Sequence, residues 1–152
     1  MKNIKMEIAL NEAKLAYAEG EVPVGAAIFK DNELIAKAHN MTIQNNTVDA
    51  HAELLAIRRA CESLGNWRLS DCELYVTLEP CAMCAGAILL SKMKRLYFGA
   101  YDTESGVCGG KTDIMHEGLF GSKTEVYGGI CEKSCQELMT SFFNQIRNKR
   151  GD

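Results

Sequence analysis

Four residues in two short stretches could do chemistry together: His51 and Glu53 in Ala50-His51-Ala52-Glu53, and Cys81 and Cys84 in Pro80-Cys81-Ala82-Met83-Cys84. Cysteines at i and i+3 share one face of a helical turn, because such side chains sit above one another. Pro80 suits a helix start, where the missing N–H costs no hydrogen bond. The partial positive charge at a helix start lowers thiol pKa, so both sulfurs are poised as thiolates. One imidazole and two thiolates are a donor set for zinc. Three protein donors without a fourth describe a catalytic ion that keeps a position for water. Glu53 is then the carboxylate placed to handle that water's protons. Mid-helix, i and i+2 side chains diverge, so a shared site requires His51 and Glu53 to sit in the first turn.

Competing readings exist for each of these residues. Two cysteines at this spacing also occur as a thioredoxin-like redox pair, although no aromatic-Cys-Gly-Pro setting is present here. Cys131 and Cys135 share a helix face and could complete a four-cysteine structural zinc site, which would leave His51-x-Glu53 without a role. Packing is the plainer reading of that pair. Glu79 is the rival carboxylate. It precedes Pro80 and is held extended, and a hydrogen bond to a neighbouring loop is its simpler role. His39 and His116 read as ordinary polar residues.

The elements that must position these groups follow from periodicity. Met6–Glu19 repeats apolar residues at Ile8, Ala9, Ala13, Leu15 and Ala16 and stops at Gly20, which describes an amphipathic helix. Val24–Lys30 and Leu34–His39 read as strands of a hairpin turning at Asp31-Asn32. Residues 40–49 read as a polar loop that delivers the chain to His51. A helix over 50–64 ends at Gly65, and Cys72–Leu78 alternates as a strand. The Cys81 helix runs to Leu90, and Leu96–Gly99 is the next strand, so strand-helix-strand here implies a parallel, right-handed crossover. Residues 101–123 are irregular, Glu125–Tyr127 reads as a last strand, and a final helix carries Leu138, Met139, Phe142, Phe143 and Ile146. Alternating helices and strands imply an α/β fold, a three-layer α/β/α sandwich around a five-stranded mixed sheet.

Composition bounds the function. The 152 residues fit one domain, residues 1–152, with 47% apolar and 24% charged content, as in an ordinary soluble protein. No apolar run reaches membrane-spanning length, and Met1-Lys2-Asn3-Ile4-Lys5 leads into a charged helix with no signal core, which points to the cytoplasm and to no membrane partner. Seven cysteines, an odd number at irregular spacings, argue for reduced thiols and metal binding over a disulfide framework. A net charge of −3 argues against general nucleic-acid binding, so any RNA contact must use a local basic patch.

The combination His-x-Glu with Pro-Cys-x-x-Cys is the signature of the zinc deaminases, in which a zinc-activated water attacks the base and the Glu moves protons. Beyond that signature, Glu21-Val22-Pro23-Val24-Gly25-Ala26, Leu78-Glu79-Pro80-Cys81-Ala82-Met83-Cys84-Ala85-Gly86-Ala87 and Phe98-Gly99-Ala100, with Ser141-Phe142-Phe143 before a basic tail, resemble the bacterial tRNA adenosine deaminases. The likeness runs in order from about Met6 to Arg147. It implies a cytidine-deaminase-like fold, one zinc per subunit on His51, Cys81 and Cys84, and Glu53 as acid/base. It also implies conversion of adenosine to inosine at the wobble position in a tRNA anticodon loop, by a homodimer. The resemblance further implies that Asn40 bonds the target base, that Val22, Pro23, Ala52 and Phe143 line its pocket, and that Asp102 meets the substrate sugar. Asn40 ends a strand, and turn formation is its plainer reading; for Phe143 that reading is the core. Arg147, Lys149 and Arg150 either meet anticodon phosphates or simply complement the helix dipole. The chain departs from the family pattern at Thr47-Val48-Asp49 and Gly121-Ser122. Two alternatives remain: a zinc deaminase of a free purine such as guanine, whose known members carry Pro where Ala82 stands, and a zinc-stabilised RNA-binding module without activity.

Overall fold

Helices cover both faces of a five-stranded sheet, which is why the central strands are near-continuous apolar runs. The computed structural model describes residues 3–150. Its order is α1 (Ile4–Ala18), β1 (Gly25–Lys30), β2 (Glu33–His39), α2 (Thr42–Asn45), α3 (Ala52–Leu64), β3 (Cys72–Leu78), α4 (Ala82–Leu90), β4 (Arg95–Ala100), β5 (Glu125–Tyr127) and α5 (Glu132–Lys149). The strands lie in the order β2-β1-β3-β4-β5. β1 is antiparallel to β2 and to β3, whereas β3, β4 and β5 are parallel. The mixed sheet and the parallel β3-α4-β4 unit are those expected from the alternation of periods.

Local chemistry sets the joints. Asn3 caps α1 by accepting from Met6 N at 3.0 Å. Asp31 and Asn32 both hold positive φ, +51° and +65°, the turn that matches the twist of a tight hairpin. One register shift, between Ile28 and Phe29, bends β1 against β2. Gly65 closes α3 at φ +64°.

Strand alternation sorts the core into two layers. On one face Ala52, Ala56 and Ala60 of α3 and Ala85, Ile88 and Leu89 of α4 pack on Ile28, Leu74, Val76, Leu96 and Phe98. On the other, Met6, Ala9 and Leu10 of α1 and Cys135 of α5 pack on Ala27, Phe29 and Tyr75. Among the described residues, no helix is long and apolar enough to cross a membrane.

Three expectations need correction. Residues 40–49 contain α2, four residues whose shortness leaves no period to read. Leu15 is 50% exposed, and Met6, Leu10 and Glu12 are buried in α1 instead. Glu12 tolerates burial because His39 Nδ1 and Lys37 Nζ reach its carboxylate at 3.1 and 4.0 Å. On α5, adjacent Phe142 and Phe143 cannot both face inward; Phe142 is buried and Phe143 is 46% exposed.

Gly25 lets α1 lie directly against β1. A Cβ there would overlap the backbone of Ala9 and Ala13. Gly25→Ala is therefore expected to push α1 off β1 and lower unfolding free energy by roughly 1–3 kcal/mol or more, measured by urea denaturation. An unchanged midpoint would mean that α1 can shift without cost.

Candidate active site

The starts of α3 and α4 meet at the end of the sheet where β3 finishes. His51 and Cys81 are the residues that cap these two helices, both in extended conformation. Pro80 precedes the cap of α4 and so does not occupy its first turn. Cys84 follows in the first turn and is fully buried. His51 Nδ1 lies 3.5 Å from Cys84 Sγ and 3.7 Å from Cys81 Sγ. All three donor atoms lie within 4.8 Å of one another, and they form the only such grouping of metal-ligating side chains among the described residues. For tetrahedral zinc, bond lengths of about 2.0 Å to nitrogen and 2.3 Å to sulfur give an N···S edge of roughly 3.5 Å. The donors thus already stand at zinc spacing. Cys131 and Cys135 cannot join them, because Cys135 packs in the core on the opposite face of the sheet.

The electrostatics follow from the close approach of the three donors. Hydrogen bonds from Cys84 and then His51 hold the Cys81 thiol down at about 3, against the opposing effect of burial. The same contact with Cys81 raises His51. Cys84 goes the other way and keeps its proton, through its bond to Cys81 and through burial. A divalent ion displaces such protons. Burial pushes Glu53 up to about 7. It is 4% exposed, in the first turn of α3 as the shared site requires, and beside Cys84. A carboxyl titrating near neutrality both takes and gives protons there, which is what a general acid/base must do.

Above these groups opens a cleft of about 400 Å³. His51, Ala52, Glu53 and Cys81 form its floor. One rim carries Glu21, Val22, Asn40, Thr42 and Ile43, and the other Leu78, Glu79, Asp102 and Ser105. Of the residues expected at a substrate pocket, Asn40, Val22, Ala52 and Asp102 line the cleft. Pro23 is buried beside Val22 without lining it, and Phe143 stands outside on α5. Thr42 donates to Asn40 Oδ1 at 2.7 Å, while Asn40 Nδ2 reaches only Val22 O at a long 3.5 Å. The donor side of that amide is therefore the half with capacity for a ligand. Asp102 Oδ1 accepts from Glu104 N and Ser105 N, both at 3.0 Å, and so shapes its own loop.

Two further carboxylates hold the rims. Glu79 Oε1 accepts from Asp102 N at 2.9 Å, and Oε2 from Cys108 N and Gly110 N at 2.8 and 2.7 Å. With its lone pairs committed to backbone donors, Glu79 fastens the loop after β4 and is no rival to Glu53. Glycine is required at 106 and 110, where a Cβ would run into the Glu79 carboxylate. Glu21, fully buried, does the same for the other rim by accepting from Ile43 N at 3.0 Å and Gln44 N at 2.8 Å. Sequence reasoning missed Glu21, since backbone partners far along the chain leave no residue-type signal.

Comparison with known proteins agrees with this geometry. The sequence profile of the cytidine and deoxycytidylate deaminase zinc-binding region matches residues 2–100. The chain belongs to this family of zinc-dependent deaminases. Within it, the chain is 43% identical to the tRNA-specific adenosine deaminase of Bacillus subtilis over 145 residues, 95% of this chain and 90% of that one. A structure solved in a study of A-to-I editing by tRNA:A34 deaminases superposes with a TM-score of 0.83 at 41% identity, covering 90% of this chain and 99% of that one. The guanine deaminase of Nitrosomonas europaea shares the fold at a TM-score of 0.78 and 26% identity, covering 91% and 82%.

The roles of the two buried carboxylates Glu53 and Glu79 separate by substitution. Glu53→Gln is expected to keep zinc and stability and to lose turnover by ~10²–10⁴-fold or more. Glu79→Gln presents an N–H to backbone donors and is expected to keep zinc while losing roughly 1–3 kcal/mol of stability. Zinc analysis, denaturation and an ammonia-release assay read the difference; activity retained in Glu53→Gln would return the proton transfer to water. Zinc added to metal-free protein is expected to release protons, measured by calorimetry in buffers of different ionisation enthalpy. Binding without proton release would mean that the donors are already ionised.

Proposed function

We propose that this chain deaminates adenosine to inosine at the wobble position of tRNA. The observation that carries this reading is similarity to tRNA-specific adenosine deaminases over nine-tenths or more of both chains, with the zinc donors and Glu53 in place. His51, Cys81 and Cys84 would hold a zinc ion, which when bound would supply Lewis acidity and make water acidic enough, at a pKa of ~7, to act as a nucleophile at neutral pH. The rest is done by this chain's own side chains. Glu53 accepts the proton released when water oxygen adds to C6 and passes it to the ring nitrogen N1, then carries the proton of the new C6 hydroxyl to the departing amine. The C6–N bond breaks, ammonia leaves, and the product carries a C6 carbonyl. Asn40 offers its amide N–H to the base edge, while Val22 and Ala52 supply apolar contact. A cleft of about 400 Å³ suits an anticodon loop, whose unpaired bases can be splayed out at low cost.

The course of α5 supports an RNA over a free base. Tyr17, near the end of α1, bonds Ser141 at 2.9 Å and packs edge-on against Phe142 at 5.6 Å. Beyond that contact α5 continues through Arg147, Lys149 and Arg150, while the chain after α1 turns at Gly20 into Glu21 and Val22 of the cleft rim. The basic tail thus departs from the cleft end of the molecule. We read the protein as a cytoplasmic homodimer, with Met83 and Leu90 of α4, 37% and 52% exposed, on the paired face.

An ammonia-release assay on tRNA with adenosine at the wobble position, free adenosine and guanine tests the reading. Activity on the tRNA alone is expected, and preference for guanine would overturn it. Neutralising Arg147, Lys149 and Arg150 together is expected to weaken tRNA binding and flatten its salt dependence, by roughly one counterion per lost phosphate contact. The same salt slope as the parent would make the tail an ordinary solvated helix end.

A further inference from the structure

At the opposite end of the sheet, where β3, β4 and β5 begin, Arg68, Lys92, Lys94 and Lys123 surround an open hollow of about 500 Å³. The zinc cleft lies where β3 and β4 end; the six residues of β4 separate the two by roughly 20 Å at ~3.3 Å per residue. Among the described residues none of the four cations is in an ion pair. The carboxylate at the hollow, Glu125, is already engaged by Arg95 Nε at 3.3 Å and Tyr127 Oη at 2.7 Å. On a chain of net charge −3, four cations outside any ion pair gather around one concavity, where Lys94 acts at longer range on Glu125.

Exposed aromatic rings stand among these charges. Phe120 is 53% exposed and sits at φ +59°, a conformation that costs energy in any residue but glycine. Lys92, itself at φ +62°, donates to Phe120 O and holds the turn in place. The turn leaves the Phe120 ring at the surface beside Lys92. Trp67, 61% exposed, lies under the Arg68 guanidinium at 5.3 Å. A lone phosphate calls for a closed cradle of backbone N–H groups, and this hollow is open. Cations interleaved with exposed rings suit a polyanion that also offers flat faces, with phosphates on the side-chain charges and unpaired bases on the rings.

We propose that this hollow is a second RNA-contacting surface, which binds tRNA outside the anticodon stem-loop that the zinc cleft receives. The proposal rests on tRNA being the substrate. Its test compares parent, the triple variant Arg68→Gln/Lys94→Gln/Lys123→Gln, and Phe120→Ala, each checked for zinc content, on full-length tRNA and on a short anticodon stem-loop. For full-length tRNA the triple variant is expected to bind at least roughly tenfold more weakly, with a log–log salt slope shallower by about 2 to 3. Phe120→Ala is expected to weaken full-length tRNA several-fold, about the loss of one stacked base. The stem-loop is expected to be bound and deaminated as by the parent. Unchanged affinity and salt slope for full-length tRNA in the triple variant overturn the surface, as does an equal loss on both RNAs. A parent that deaminates no tRNA instead fails the functional reading itself, which keeps the two failures apart.

Discussion

Two helix N-termini have to meet within a few ångströms of each other, and most of the fold serves that meeting. His51 caps one helix and Cys81 the other, so a zinc-spaced donor set exists only while α3 and α4 enter the same end of the sheet. Alanine at 52, 56 and 60 lets α3 lie close on β1 and β2, and the parallel β3-α4-β4 unit fixes α4 beside it. The extended backbone of both capping residues turns their side chains away from their own helices and toward one another. Metal affinity here is a property of the tertiary fold as much as of three side chains.

Three buried glutamates around one cleft show how partners, and not residue type, decide what a carboxylate does. Glu53 has few hydrogen-bond donors and much burial, and its carboxyl is driven up to where it can exchange protons. Glu79 and Glu21 meet backbone N–H groups instead, three in one case and two in the other. They act as the missing secondary structure of two loops that neither helix nor sheet organises. Both rims of the cleft are thereby fastened through backbone hydrogen bonds, with the short α2 on one and the end of β3 on the other.

Much of this was legible in the sequence, and the physical reason is locality. Metal donors at i, i+3 and an acid two residues from a histidine leave their mark within a few positions, as do the periods of α3 and β3. What could not be read depends on contacts between distant segments. Nothing in residues 40–49 announces a helix, because α2 is held by Glu21 from 22 and 23 residues upstream. Leu15 and Phe143 fit an apolar stripe in a linear reading, yet α1 turns Leu10 and Glu12 inward and α5 turns Phe142, leaving the other two at the surface. Asp102 was read for its charge toward a ligand, while half of that carboxylate is spent on the turn that carries it.

The strand order also has a bearing on how the chain behaves in a crowded solution. A sheet ordered β2-β1-β3-β4-β5 leaves two edges that could recruit strands from other molecules. At one edge β5 offers only three residues, too few to template a neighbour. At the other, β2 is joined to β1 through a register shift and carries exposed Glu33 and Lys37. Neither border presents the long, flat, apolar ladder on which amyloid-like growth begins. The sheet that supports the metal centre is finished at both sides by short or charged strands.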